Sequence, residues 1–354
     1  MLKSFRYLLF PISFLYGIII WIRNWFFDKN ILKSATFNFP VICVGNLAVG
    51  GTGKTPMTEY LVSILSDEFK TATLSRGYKR KTKGFAIADE STTAIHIGDE
   101  PMQFHRKFPD LIVAVGEERL VAIPQLLHAR PDTEVIILDD AFQHRQVRAG
   151  HNIVLTDYRN LYTRDLVLPA GDLRDVKSSI KRAHTIIVTK CKPDLSEEER
   201  RQISLEINPG ARQQLYFTEI VYNSPYQLFT REKREVLPTT DILLLSGIAN
   251  PKPLKEYLTN QVQSYDMLRY PDHHIFSSDD LKDILKQFAR IESQDKIILT
   301  TEKDGVRLEK FSKELSQYPI YVLPIKHRFL FGGDQQFQQE IKTFVRSFER
   351  QPPQ

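Results

Sequence analysis

Cysteine is nearly missing from this chain: Cys43 and Cys191 are the only two among 354 residues. Two thiols so far apart make neither a disulfide framework nor a Cys-rich metal cluster, which points to a reducing compartment. A strong charge of either sign is missing too. The formal balance is +5, from 48 basic and 43 acidic residues. That is mild for this length, so it suggests an anionic partner or surface without the footprint of a nucleic-acid binder. No nucleic-acid-binding motif, internal repeat or low-complexity tract occurs. Nor does the Asn/Thr-Lys-x-Asp pattern by which a GTPase reads guanine. "TKCK" at 189–192 ends in lysine, and "TEKD" at 301–304 carries its lysine one place late. With 42% apolar residues the chain can bury an ordinary core, and it is long enough for two α/β domains or one large one.

The first long apolar run lies at the start. Residues 8–22, "LLFPISFLYGIIIWI", carry no charge, and Trp25, Phe26 and Phe27 extend the run past Arg23. Roughly 20 largely apolar residues suffice for a helix that spans or lies in a bilayer. Lys3 and Arg6 before it, and Arg23, Lys29 and Lys33 after it, sit where headgroup contacts form, with Tyr16, Trp21 and Trp25 as interfacial anchors. A secretory signal is the rival reading, but no small-residue cleavage site follows. A buried core helix is the blander one. The expectation is a membrane anchor over 1–34 on a cytoplasmic body.

Beyond it, short β-branched runs alternate with amphipathic helices. "VICVGN" (41–46), "TATLS" (71–75), "LIVAV" (111–115), "VIILDD" (135–140), "NIVLTD" (152–157) and "TIIVT" (185–189) suit strands buried on both faces of a parallel sheet. Met57, Tyr60, Leu61, Ile64 and Leu65 fall at helical spacing, which makes the first unit βαβ. A second set, "ILLLSG" (242–247), "KIILTT" (296–301) and "IYVLPI" (320–325), predicts a smaller α/β domain, with a helix capped by Ser277 and Asp280. The expected boundaries are 35–212 for the phosphate-loop core, 213–240 for a linker, 241–334 for the smaller domain, and 335–354 for a closing helix and the frayed tail "ERQPPQ".

The stretch "AVGGTGKT" (48–55) follows the pattern Gly-x4-Gly-Lys-Ser/Thr except that Ala48 replaces the first glycine. That glycine eases the exit from the strand. Phosphate wrapping depends on the backbone of Val49, Gly50, Gly51, Thr52 and Gly53, so the motif survives. Lys54 can reach the β- and γ-phosphates and the Thr55 hydroxyl can bind Mg²⁺. Asp139 and Asp140 stand where a neighbouring parallel strand ends, the position of a metal-holding carboxylate; an exposed acidic turn is the alternative. Lacking a guanine motif, the loop is expected to take ATP.

Other polar segments lie beyond strand ends. Asp99, in "GDEP", can cap a helix or accept a proton from a substrate hydroxyl. Asp272, His273 and His274 form a cluster that suits a proton relay better than zinc, since adjacent histidines do not readily share one ion. "SRGYKRKTK" (75–83) is a solvated charged loop or a guide for an anionic lipid or phosphate. "AFQH" (141–144) and "LPAGDLRD" (168–175) are candidate substrate loops.

In this order, behind an apolar helix, "VGNLAVGGTGKTP", "SRGY", "GDEP", "LDDAFQH", "LPAGDLRD", "DHH" and "TEKD" resemble the tetraacyldisaccharide 4′-kinase family, the lipid A kinases of Gram-negative bacteria. The resemblance covers most of the chain. It implies a P-loop NTPase-like parallel-sheet domain with an N-terminal membrane helix and a second, smaller α/β domain. The implied reaction moves the ATP γ-phosphate, with Mg²⁺, to the 4′-hydroxyl of a tetraacyl glucosamine disaccharide 1-phosphate at the cytoplasmic face of the inner membrane, by a monomer. It makes Asp99 the base and His273 its partner. Lys54, Thr55, Asp139 and Asp140 take the phosphate and metal roles, and Arg76, Tyr78, Gln143, His144 and Arg174 become nucleotide, lipid or transition-state contacts. Asp175 joins them where many relatives would carry glutamate. Because Asp99 and His273 belong to different domains, closure of the cleft is expected. The readings of a different class are a membrane-associated P-loop ATPase that moves a partner and a nucleotide-binding regulator without chemistry.

Overall fold

The computed structural model describes residues 6–348, so Lys3 and the tail "ERQPPQ" lie outside the described residues. The larger sheet is built from β1 (Val41–Asn46), β2 (Thr71–Ser75), β3 (Ala86–Ile87), β4 (Ile112–Val115), β5 (Val135–Asp139), β6 (His151–Asp157), β7 (Thr185–Thr189), β8 (Gln214–Tyr222) and a late strand, Ile325–Phe329. Among the described residues its nine strands run in the order 325–329, β8, β7, β6, β1, β5, β2, β4, β3. All neighbours are parallel except at the two edges. Every residue of β1, β2, β5 and β7 is buried. The pleat sends Val41 and Cys43 into one core and Ile42 and Val44 into the other, which is why these strands read as unbroken apolar runs.

The smaller sheet contains β9 (Tyr226–Gln227), β10 (Asp241–Ser246), β11 (Tyr265–Arg269), β12 (Lys296–Thr301) and β13 (Ile320–Leu323), in the order β9, β13, β12, β10, β11. The helix Ser278–Arg290 starts where its sequence predicts. The Ser277 hydroxyl accepts from the Asp280 amide, and Asp280 accepts from the Ser277 amide.

The stretch 213–240 differs from the connection expected of it. It opens with nine residues of β8, paired in parallel with β7. Its polar look came from Thr218 and Glu219, which are buried because His327 and Arg328 of the late strand satisfy them. That strand, β14 (Ile325–Phe329), pairs antiparallel with β8 in the larger sheet, although it falls inside the 241–334 span read as the smaller domain. The closing helix Gly333–Arg346 then packs Phe337, Ile341 and Val345 into the core around Met57 and Leu61. The smaller sheet is therefore an insertion, entered and left side by side, where the Asn223 amide donates to the Pro324 carbonyl over 3.0 Å.

Helix α1 (Phe10–Asp28) docks by one edge only. Ser13 Oγ accepts from the Ala170 amide at 2.7 Å, the Tyr16 hydroxyl donates to the Arg174 carbonyl at 3.2 Å, and Asn24 donates to Asp175 at 2.8 Å. Its other faces leave Phe10, Ile12, Phe14, Leu15, Ile19 and Trp21 at least half exposed. The core-helix reading therefore does not hold. The helix has the length and composition of a membrane-crossing segment.

Candidate active site

The phosphate loop leaves β1 as extended chain. Ala48 bridges antiparallel to Leu173, and the Val49 amide donates to the Asp172 carbonyl at 2.7 Å. The left-handed positions fall later, on Gly50 (φ 101°) and Gly53 (φ 90°). Ala48 thus occupies a place with no need of glycine. From behind, three successive carbonyls are held by side chains of other strands. Lys190 donates to Gly51, the Thr189 hydroxyl to Thr52 at 2.8 Å, and His327 Nε2 to Gly53 at 2.9 Å. A trans peptide carries its N–H opposite its C=O, so the amides of Gly53 and Lys54 face the other way, towards the start of helix α2 (Lys54–Leu65). Burial pushes His327 down to about 4, and its Nδ1 is left to accept from the Thr218 hydroxyl at 2.9 Å. It acts here as a neutral donor.

The two carboxylates at the end of β5 differ sharply. Asp140, in a left-handed conformation (φ 50°), is paired with Arg174 and lies 3.8 Å from the Lys54 ammonium. Burial alone would raise its pKa, but Lys54 and Arg174 hold it below the ordinary range. Asp139 is buried and accepts one hydrogen bond, from the Thr58 hydroxyl at 3.2 Å. Burial, then the charges of Glu100 and Asp140, push it up to about 7. Asn46 was not foreseen as a site residue. Its side chain accepts from Arg174 at 2.6 Å and donates to Thr52 Oγ1 at 2.9 Å, and its carbonyl accepts from Gln143 at 2.7 Å.

The structure brings most of the expected residues to this edge. Arg76 is exposed just after β2, and His144 is held below its usual range by burial and by the charges of Arg119, Arg76 and Arg23. Arg119, also unforeseen, is fully buried after β4, where it donates to the Gly116 carbonyl at 2.8 Å. Asp175 is the exception. It is buried, accepting from Asn24, Ser179 and Arg182, so it ties α1 to the 168–182 segment and does not join the cluster around Lys54. The loop after Arg76 is also less solvated than its charge suggests, because Arg80 is buried in a 2.6 Å ion pair with Glu117.

Asp99 opens helix α3 (Asp99–Lys107) without capping it, since its carboxylate turns to the smaller domain. Its Oδ2 lies 3.1 Å from His273 Nδ1 and accepts from Arg307 Nε at 3.0 Å and Nη2 at 2.7 Å. Burial opposes the charged form, but these hydrogen bonds outweigh it and hold Asp99 at about 2. His273 (φ 62°) also meets the Tyr78 ring edge-on, with centroids 5.7 Å apart. His274 turns away, bonding Asp280 at 2.9 Å and stacking on Tyr270. The histidines therefore have separate jobs. No group of three or more metal-capable side chains occurs among the described residues.

A strand, a phosphate loop and a helix, with a lysine and two carboxylates at the ligand edge of a parallel sheet, serve phosphoryl transfer. The molecule is a phosphotransferase of the phosphate-loop class. More narrowly, the chain belongs to the tetraacyldisaccharide-1-P 4′-kinase family, whose sequence model matches residues 5–346. It is 47% identical over 344 residues to the tetraacyldisaccharide 4′-kinase of Flavobacterium johnsoniae, covering 96% of this chain and 97% of that one. It is 43% identical to the tetraacyldisaccharide 4′-kinase of Bacteroides thetaiotaomicron, covering 97% and 94%. Its fold is similar to the crystal structure of LpxK from Aquifex aeolicus in complex with ATP, with a TM-score of 0.78, 28% identity and coverage of 98% and 100%.

Proposed function

We propose that this kinase transfers the γ-phosphoryl group of ATP to the 4′-hydroxyl of a tetraacyldisaccharide 1-phosphate, working as a monomer at the cytoplasmic face of the inner membrane. The observation that carries the reading is the Asp99 carboxylate, held by His273 of the other domain at 3.1 Å, on the sheet edge that also holds Lys54. ATP in the Aquifex relative supports the nucleotide choice. The backbone from Val49 to Gly53 wraps the phosphates, and Lys54 neutralises charge on the group in transfer.

Mg²⁺ fits the donor set of Thr55 and Asp139, hard oxygens on adjacent elements. Among the described residues no cation lies within ion-pair distance of Asp139, whereas Asp140 is already engaged by Arg174 and Lys54. Bound there, the metal would neutralise developing charge on the phosphoryl oxygens. Asp99 takes the proton of the acceptor hydroxyl. Its low basicity suits a loose transition state, in which the proton leaves late and orientation matters more than base strength. Arg76, Tyr78, Gln143, His144 and Arg174 line the approach.

The anchor enters the bilayer without crossing it. Its bonds to the body run from Ser13 to Asp28, about 22 Å of helix, so most of its length stays against the cytoplasmic domain while the apolar faces insert. Incubating the protein with γ-labelled ATP and the purified acceptor, and resolving products by thin-layer chromatography, tests the function. Label in the lipid supports it; label only in free phosphate would make the protein an ATPase, and no turnover would leave a nucleotide-binding regulator.

A further inference from the structure

Helix α4 (Glu302–Leu308) of the smaller domain packs against α3 of the larger one, and Arg307 is its contribution to the site. In the sequence "TEKD" is only an incomplete guanine motif and part of the family resemblance. Folded, it is a mount for this arginine. The Thr301 hydroxyl accepts from the Asp304 amide at 3.2 Å and donates to the Asp304 carboxylate at 2.8 Å. Asp304 also accepts from the Gly247 amide at 2.9 Å and from Arg307 Nη1 at 2.9 Å. The guanidinium is thereby locked by its Nη1 end, and its Nε and Nη2 both reach Asp99 Oδ2. A planar fork held this way fixes the position of the carboxylate oxygen it meets.

All hydrogen bonds to Asp99 from the described residues, those of Arg307 and His273, fall on Oδ2, and none reaches Oδ1. We infer that Arg307 is a positioning residue for the phosphoryl transfer: together with His273 it immobilises Asp99 Oδ2 and presents Oδ1 to the acceptor hydroxyl. Arg307 therefore makes the orientation of the base conditional on the smaller domain being docked. Arg307 Nη2 also lies 3.1 Å from His273 Nδ1, so the one guanidinium touches both Asp99 and His273. The charged groups facing this cluster are Asp304 on α4, Asp272 beside His273, and the Glu100–Lys303 pair, one residue after Asp99 and four before Arg307. This inference rests on Asp99 being the proton acceptor, and the test separates the two.

The full-length protein in mixed micelles is assayed for kcat, both KM values and the pH dependence of kcat, as wild type, Arg307→Lys, Arg307→Met, Asp99→Asn and the Asp99→Asn/Arg307→Met double variant. Arg307→Met is expected to lower kcat about 10²-fold, the cost of a misplaced reacting group, with both KM values within about threefold. Without the guanidinium Asp99 becomes less acidic, so the acid limb of kcat moves to higher pH. Arg307→Lys keeps the charge without the fork and recovers only part of the rate. In the Asp99→Asn background the same change costs little more, because a residue acting through Asp99 has nothing left to orient. Since Arg307→Met strands the buried Asp304 carboxylate, Arg307→Met/Asp304→Asn is run beside it as the folded control, with the same kinetic loss expected. An inactive Asp99→Asn combined with wild-type kcat and acid limb in both Arg307→Met proteins overturns the positioning role alone. A near-normal Asp99→Asn overturns the base assignment beneath it.

Discussion

The two halves of the active site are built by opposite means. At the phosphate loop, the groups proposed to wrap the phosphates are backbone amides within one short segment, joined by the side chains of Lys54 and Thr55 that follow directly, and distant side chains hold the carbonyls from behind. On the proposed acceptor side, the groups are side chains carried by Asp99, His273 and Arg307, 208 positions apart at the widest in chain order. A backbone site survives changes of side chain wherever the dihedral angles are kept. A side-chain site fails with any member and depends on two domains meeting.

The largest test of this contrast is Asp99→Asn, which keeps size and removes the proposed proton acceptor. We expect kcat to fall about 10²- to 10⁴-fold while nucleotide affinity, measured by calorimetry, stays within a few-fold. Lys54→Met comes next, since it removes the one charged side chain of the phosphate loop. Loss of about 10²- to 10³-fold in kcat, with weaker nucleotide binding, is the expected outcome; an unchanged rate would mean that the backbone amides suffice.

His327→Gln touches the loop from behind and should raise the nucleotide KM about five- to tenfold, the scale of one hydrogen bond. The histidine also sets a pH dependence. Its folded pKa of about 4 lies below the ordinary 6.5, so its contribution to stability is complete above about 6.5 and is lost as pH falls towards 4. Thermal melts between pH 7 and pH 5 should therefore decline less in the glutamine variant. The smallest effect is expected of Ala48→Gly. The position is extended and paired with Leu173, so stability should change by no more than about 0.5 kcal/mol and kcat should not move.

The same contrast explains what could be read in advance. The six strand runs of the larger sheet were legible because burial on both faces removes the alternation that would otherwise blur them. The phosphate loop was legible because its chemistry is local. β8 was not, since Thr218 and Glu219 look solvated until His327 and Arg328 arrive from more than a hundred residues away. Arg307 carried one faint signal, its i,i+3 spacing from Asp304 on a short helix. Asp175 shows the reverse case: its motif marked it for the site, yet the fold spends it on holding α1.

The return of the chain to the larger sheet has a consequence for biosynthesis. His327, which steadies the phosphate loop, lies on a strand translated after the whole smaller domain. A nascent chain halted inside that domain would show β8 as an open edge, ready to pair with another chain. Loop and edge are completed by the same late segment, so the ability to hold nucleotide and the protection from aggregation arise together near the end of synthesis.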